Sequence, residues 1–255
     1  HRAHELLQGQ GNVANAIVCP YHAWTYKKDG SLRHARNTAD LANFCLKDYG
    51  LKSIQLEEFV GCVFVNLDAK AQRLSEAVAD LETDIRSRVP FLDDLRVPMA
   101  NTFGPTTIEA GWKVVVDNYV ECYHCEHAHP DFASLICMDD YQMETFGLWS
   151  RQIGPNIRHK NSAYDVTRGQ GYQRALFWYL WPNTTFNILP GADEMNVSAV
   201  RPRSLTRSSF EGHTLSIDNK QNTARSTYTA EVLVPEDISL CESVQRGLKS
   251  HSYDQ

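Results

Sequence analysis

Fourteen consecutive residues, Asp117-Asn118-Tyr119-Val120-Glu121-Cys122-Tyr123-His124-Cys125-Glu126-His127-Ala128-His129-Pro130, hold three histidines and three acids. On a helix, Glu121 and His124 stand three apart and share a face. His129 lies five beyond His124 and falls off that face. Pro130 disfavours helical backbone at His129, so the helix is expected to end there and the His129 ring to swing back toward His124. Two neutral imidazoles converging beside an acid are the beginnings of a 2-His-1-carboxylate site for ferrous iron. The same stretch admits other chemistry. Cys122 and Cys125 form a C-x-x-C, the pattern of a redox pair or of half a zinc site. No second C-x-x-C exists elsewhere to complete a four-thiolate zinc site.

A second constellation lies at the start of the chain. His1-Arg2 is followed by a polar Gly9-Gln10-Gly11-Asn12 turn, the strand-like Asn15-Ala16-Ile17-Val18, and then Cys19-Pro20-Tyr21-His22-Ala23-Trp24. A Rieske [2Fe–2S] centre takes two cysteines on one iron and two histidines on the other. Its sequence form is C-x-H, a gap, then C-x-x-H. His1, Cys19 and His22 fit three of the four positions. The fourth, a cysteine two residues before His1, falls outside the sequence, so the chain is expected to be a fragment whose cluster is incomplete as it stands. Spacing alone leaves a zinc knuckle open.

With both motifs in order, the sequence resembles the oxygenase (α) subunits of Rieske non-haem iron oxygenases over nearly its whole length. Within that family it is most similar to the group acting on quaternary ammonium compounds, carnitine and betaines among them. The Asp117–Cys125 stretch with Glu as its acid carries this resemblance, as does Pro235-Glu236-Asp237 followed by Glu242-Ser243-Val244-Gln245-Arg246-Gly247-Leu248-Lys249-Ser250. The resemblance implies an α+β chain: a β-rich Rieske domain, truncated at its N-terminus, then a helix-grip (Bet v 1/START-like) catalytic domain with an antiparallel sheet. It implies His1, Cys19 and His22 as cluster ligands, and His124, His129 and Asp237 as ligands of a mononuclear Fe(II). Glu121 would bridge to a cluster histidine of a neighbouring subunit, although its place beside His124 also permits direct ligation. Asp117 and Asn118 would support that junction.

The elements that must position these residues can be read from periodicity. Lys28-Asp29-Gly30 signals a hairpin turn, and Asp40 to Tyr49 reads as loop with a short helix. Ile54–Phe59 and Cys62–Leu67 read as strands meeting at Gly61, with Cys45 and Cys62 as buried small residues. The first domain is expected to cover 1–68 and the catalytic domain 69–255, the latter truncated at its C-terminus. Residues 69–89 repeat apolar residues at helical spacing, and the Pro98-to-Pro105 stretch reads as a connector. Phe132–Tyr141 reads as loop or weak helix. Residues 142–234 are expected to form a twisted sheet, including Met195–Val200 and Ser226–Val234, with a polar, mobile loop over Gly154–Gln170. In Phe177-Trp178-Tyr179-Leu180-Trp181 alternation puts Phe177, Tyr179 and Trp181 on one face. They are candidates for an aromatic box, since a permanent cation without N–H donors is held best by aromatic faces. Pro235 opens a final helix with an Ile238, Cys241, Val244, Leu248 stripe. Without the resemblance, Glu236 and Asp237 read as acids complementing the helix dipole.

The chain of 255 residues has a net charge of −6, which implies neither a nucleic-acid nor an anionic-membrane partner. No apolar run approaches a membrane-spanning length. Seven cysteines without a disulfide rhythm fit a reducing cytoplasm. The function expected is hydroxylation of a carbon beside nitrogen in a quaternary ammonium substrate, leading to C–N cleavage. The reaction would use O2 and electrons from a separate NAD(P)H-dependent reductase, in a homo-oligomer expected to be a trimer. The competing readings are an aromatic-ring-hydroxylating dioxygenase and a non-catalytic Rieske electron carrier or zinc-binding module.

Overall fold

Between Cys19 and Trp24 the backbone turns back on itself: the Cys19 amide donates to the Trp24 carbonyl at 2.8 Å and the Ala23 amide to the Cys19 carbonyl at 2.9 Å. This loop joins β1 (Ile17–Val18) to β2 (Thr25–Tyr26), which pair antiparallel. The computed structural model describes residues 1–9, 11–97, 102–167, 170–217, 223–250 and 252–253. Of the expected Gly9–Asn12 turn, Gln10 lies outside them. The turn expected at Lys28–Gly30 leads into β3 (Leu32–His34), and the Asp29 carboxylate accepts from the Ser31 amide at 2.8 Å. Tyr26, Leu32 and Ala35 form a small core with Trp24 and Phe44 packed on it.

β4 (Gln55–Phe59) and β5 (Cys62–Asn66) form the expected hairpin. Its two turn residues, Val60 and Gly61, both have positive φ, 50° and 71°, matching the twist that two-residue hairpins require. Cys62 is half-buried and Cys45 exposed, contrary to the expectation of buried packing. Cys62 sits opposite Phe59 in the strand pair that closes the turn, and Cys45 precedes a short 3-10 turn with no buried residue.

The single helix expected over 69–89 is two. α1 (Leu74–Ala77) starts late because the Glu57 carboxylate of β4 accepts the Leu74 amide at 2.9 Å and the Ser75 amide at 3.0 Å, a long-range cap for otherwise orphaned donors. Val78 leaves helical geometry (φ −133°, ψ 43°), and α2 (Ala79–Arg88) follows. The chain divides into compact units at this break, 1–77 and 78–255. Segment 69–77 stays with the first unit rather than parting at Asp68, because Glu57 holds it.

The second unit is built on seven antiparallel strands. In chain order its elements are β6 (Thr102–Ile108), α3 (Trp112–Tyr119), α4 (Cys125–Ala128), α5 (Pro130–Leu135), β7 (Gln142–Thr145), β8 (Trp149–Gly154), β9 (Ala175–Leu180), β10 (Thr184–Ile188), β11 (Glu194–Ser204), β12 (Arg207–Ser216), α6 (Thr223–Tyr228) and α7 (Val234–Leu248). The sheet order is β6-β12-β11-β10-β9-β8-β7. α3 packs on β11, β12 and α7, while α7 also packs on β6, which gives the helix-grip arrangement. On the opposite sheet face Trp178 Nε1 donates to Asp84 of α2 at 2.8 Å, and Arg151 pairs with the same carboxylate. No helix among the described residues is long and apolar enough to cross a membrane.

Three further expectations change. Part of the presumed connector, Thr102–Pro105, lies in edge strand β6, with 98–101 outside the described residues; Pro105 is tolerated beside a register shift at the sheet edge. Ser226–Val234 is helical, not strand: α6 passes through a π-turn at Thr229–Leu233 into α7. Its β-branched residues are overridden by tertiary packing, since Tyr228 is buried in the core and Val232 and Leu233 pack on that cluster. The loop over Gly154–Gln170, whose residues 168–169 lie outside the described set, is anchored by buried Tyr164 and Val166. The Tyr164 hydroxyl donates to the Pro190 carbonyl at 2.9 Å.

Candidate metal centre

α3 ends at Tyr119, and the next five residues form no regular helix. Glu121 and His124 therefore meet across a turn, not along one helix. The Glu121 carboxylate accepts the Tyr123 amide and faces His124 Nδ1, each at 2.5 Å. Beyond α4, His129 adopts φ −126° and ψ 68°, and Pro130 opens α5. The break that Pro130 imposes turns the His129 ring inward. The ring is 2% exposed, and its centroid stands 5.1 Å from that of His124.

The first turn of α7 closes the site. Asp237 Oδ1 lies 3.0 Å from His129 Nε2 and 3.6 Å from His124 Nε2. Asn118 Nδ2 donates to the same oxygen at 2.6 Å. Glu236 does not join this convergence; its Oε2 sits 2.8 Å from His129 Nδ1, on the far side of the ring. Among the described residues His124, His129 and Asp237 form a group whose ligand atoms all lie within 4.8 Å of one another. Two imidazole nitrogens and one carboxylate oxygen are the donor set that suits ferrous iron and leaves further positions open.

The three groups are electrostatically coupled. Burial opposes the charge on Asp237, but hydrogen bonds from His124, His129 and Asn118 outweigh it and hold the carboxyl down at about 2. The hydrogen bond to Asp237 raises the His124 pKa, with Glu121 adding to it. Burial works against the His129 imidazolium, but Asp237 and Glu236 prevail and raise its pKa as well. Exposed Asp117 does not join the cluster; after burial, its charge is what pushes the Tyr179 phenol up to about 12.

Cys122 and Cys125, whose C-x-x-C spacing read as a redox pair or half a zinc site, are joined in a disulfide that brackets His124 in the chain. A separation of three residues brings the Cα atoms to 5.0 Å, inside the range a bridge requires.

A cavity of about 440 Å³ opens on the three converging groups. Phe177 and Tyr179 line it as alternation predicted, and Trp181 does not. β9 ends at Leu180, so the alternation stops one residue short. Trp181 is 50% exposed and rests beside Trp112, ring centroids 5.5 Å apart. Sequence reasoning missed Tyr119, Phe132 and Tyr141 on the wall, along with a polar ladder. The Tyr119 hydroxyl donates to Asn187, Asn187 Nδ2 donates to Thr185 Oγ1 at 3.0 Å, and the Thr185 and Ser198 hydroxyls meet at 2.5 Å. The available signal was polar residues at every second position of β10 and β11, a face pattern of period two.

In the first unit, His1 Nδ1 lies 3.4 Å from Cys19 Sγ and the His1 and His22 ring centroids are 5.4 Å apart. Cys19 is fully buried. Two imidazoles and one thiol gathered on tight loops fit both protein ligands of the histidine-bound iron and one of the two on the other iron of a Rieske cluster.

Comparison with known proteins identifies both domains. Residues 1–45 match the Rieske [2Fe-2S] domain, and residues 78–255 match the catalytic domain of the ring hydroxylating alpha subunit. The chain is 36% identical to the carnitine monooxygenase oxygenase subunit of Escherichia coli (strain K12), over 99% of its own length and 67% of that protein's. It is 29% identical to the chloroplastic choline monooxygenase of Arabidopsis thaliana, over 100% of this chain and 62% of that one. A solved quaternary ammonium Rieske monooxygenase superposes with a TM-score of 0.85 at 34% identity, covering 99% of this chain and 68% of that one.

Proposed function

Because the chain belongs to the ring-hydroxylating α-subunit family of Rieske oxygenases, we propose that it hydroxylates the carbon beside a quaternary nitrogen and so cleaves a C–N bond. It is an oxidoreductase that incorporates oxygen, its cofactors are a Rieske [2Fe-2S] cluster and a mononuclear iron, and such a subunit takes electrons from a separate reductase. In this reading His124, His129 and Asp237 hold the iron, and His1, Cys19 and His22 hold the cluster. The bound iron supplies open positions at which O2 is activated beside the substrate.

One observation carries the substrate class. The cavity over the ligand triad presents aromatic faces and the Glu121 carboxylate, with no lysine or arginine among its described lining residues. A quaternary cation cannot donate a hydrogen bond, so it is attracted by ring faces and nearby negative charge. Phe177 and Tyr179 supply such faces, Tyr119 and Phe132 extend them, and the amide and hydroxyl ladder can meet a polar tail. The relatives named for carnitine and choline support this reading. A ring-hydroxylating dioxygenase such as naphthalene 1,2-dioxygenase, 17% identical with a TM-score of 0.67, shares the fold. A non-catalytic carrier or zinc module has no use for the second unit's ligand triad.

Glu121 is the proposed electron bridge. Its contact with His124 Nδ1 supports one side of that path, and the other side would come from a cluster histidine of a neighbouring subunit in a closed ring, a trimer in this reading. The protein would work in the cytoplasm, where reduced nicotinamide cofactor is supplied.

The test is turnover with a reductase and reduced nicotinamide, comparing carnitine, glycine betaine, choline, a neutral isostere and an aromatic acid. Substrate-dependent O2 uptake with a tertiary amine and a carbonyl product from a quaternary compound is the expected result. A diol from the aromatic acid, with no amine release, contradicts it. In the same assay Glu121→Gln should reduce its cluster normally but reoxidise it slowly with substrate and O2; reoxidation as fast as the parent's removes Glu121 from the path.

A further inference from the structure

The geometry points to Glu236 as the positioning residue of His129: it accepts the Nδ1 proton and thereby aims the Nε2 lone pair at the metal. The inference rests on the reading of His124, His129 and Asp237 as iron ligands and goes beyond it.

A neutral imidazole has one nitrogen that donates a proton and one that accepts. If Nε2 is to face a metal, Nδ1 must carry the hydrogen and needs an acceptor, because the ring is 2% exposed and water cannot serve that role freely. Glu236 Oε2, 2.8 Å from Nδ1, is that acceptor, while Asp237 Oδ1 lies 3.0 Å from Nε2. Two consecutive residues thus face the ring's two nitrogens: Glu236 accepts from Nδ1, and Asp237 stands beside the Nε2 lone pair, where a shared metal would lie. Neighbours on an α-helix diverge by about 100° around its axis, so Glu236 and Asp237 reach different edges of the ring without competing for one. The π-turn at Thr229–Leu233 directly precedes this first turn of α7. Such turns shift the register of the helix beyond them and recur at functional sites.

The other explanation of an acid at this position is complementarity to the helix dipole. That role concerns helix stability and is indifferent to the His129 ring. A carboxylate hydrogen-bonded to a metal-bound histidine instead fixes the ring's tautomer and orientation and raises its basicity. His124 is flanked in the same way by Glu121 at 2.5 Å. Glu121 is also the proposed electron bridge, whereas Glu236 faces only His129 within this hydrogen-bonded group, so its removal reports on positioning without interrupting the bridge.

The experiment compares Glu236→Met, similar in length but without the carboxylate, with Glu236→Gln, whose amide oxygen can still accept from Nδ1. Fe(II) affinity is measured by anaerobic competition with a chromophoric chelator, and Co(II) loaded into the site reports ligand geometry through its visible spectrum. Glu236→Met should weaken Fe(II) binding by about 10- to 100-fold and shift the Co(II) bands. Glu236→Gln should stay within about threefold of the parent, below that range, and restore the bands. Unaltered affinity and spectrum in Glu236→Met overturn the proposal. Equal losses in the two variants also overturn it, because charge alone then accounts for the effect. Unfolding of the metal-free variants is followed alongside, and a loss of helix stability with unchanged Fe(II) affinity assigns Glu236 to the dipole. Asp237→Ala is the separating control: if it keeps the parent's affinity, the ligand assignment itself has failed, whatever Glu236 does.

Discussion

At the scale of single residues, the approach of the two histidines was legible in backbone chemistry. Pro130 made His129 leave its helix, and the structure turns that ring inward at the same residue. Asp237 was legible only through the resemblance, since nothing local distinguishes it from Glu236. The structure separates them by which nitrogen of His129 each one faces. The Cys122–Cys125 pairing was illegible because a C-x-x-C serves redox, zinc and packing roles alike. The shared carboxylate has a consequence for pH. Asp237 raises the pKa of both histidines above their ordinary 6.5, so protons compete with metal from a higher pH than at free imidazoles. Fe(II) affinity should therefore fall as pH drops through the raised values, by about tenfold per pH unit for each proton displaced. The metal-free protein has the opposite dependence on these groups: their contribution to stability is fully present below 6.5 and fades as pH rises through the raised values. Affinity measured between about pH 8 and pH 6 checks the first statement, and a flat profile contradicts it.

At the scale of elements, strands with clean alternation and clear turns were legible. The β4–β5 hairpin and β9 are where the pattern puts them. Ser226–Val234 was not, because β-branched residues at alternating positions mimic a strand until Tyr228, Val232 and Leu233 are seen packing on the core. The apolar stripe of α7 was half right. Cys241 is buried, but Val244 is 53% exposed, and the buried neighbour is Gln245, whose Oε1 accepts the Gly111 amide at 2.8 Å ahead of α3. Trp181 failed for a related reason: periodicity does not announce where a strand ends. The aromatic wall can be tested element by element. Phe177→Ala and Tyr179→Ala should each weaken binding of a quaternary ammonium compound by roughly 0.5–2 kcal/mol, and Trp181→Ala should leave it unchanged. Calorimetric titration with the cation and with a neutral isostere decides the matter. Equal losses for both ligands make the rings mere packing.

At the scale of the whole molecule, the order of motifs disclosed two units with different metal chemistry, because each ligand set is concentrated in short stretches. The cavity was hidden because its wall gathers side chains from Phe103 to Cys241, and such long-range convergence leaves no local pattern. α7 unites the two levels: it packs against α3 and brings Asp237 to the histidine loop. That convergence is the central claim, and iron content measures it most directly. Parent protein and Asp237→Ala, prepared anaerobically and loaded identically, should differ by about one iron per chain, with sulfide content and cluster absorbance the same in both. An Asp237→Ala protein that retains all the parent's iron would contradict the assignment of His124, His129 and Asp237 as the mononuclear centre.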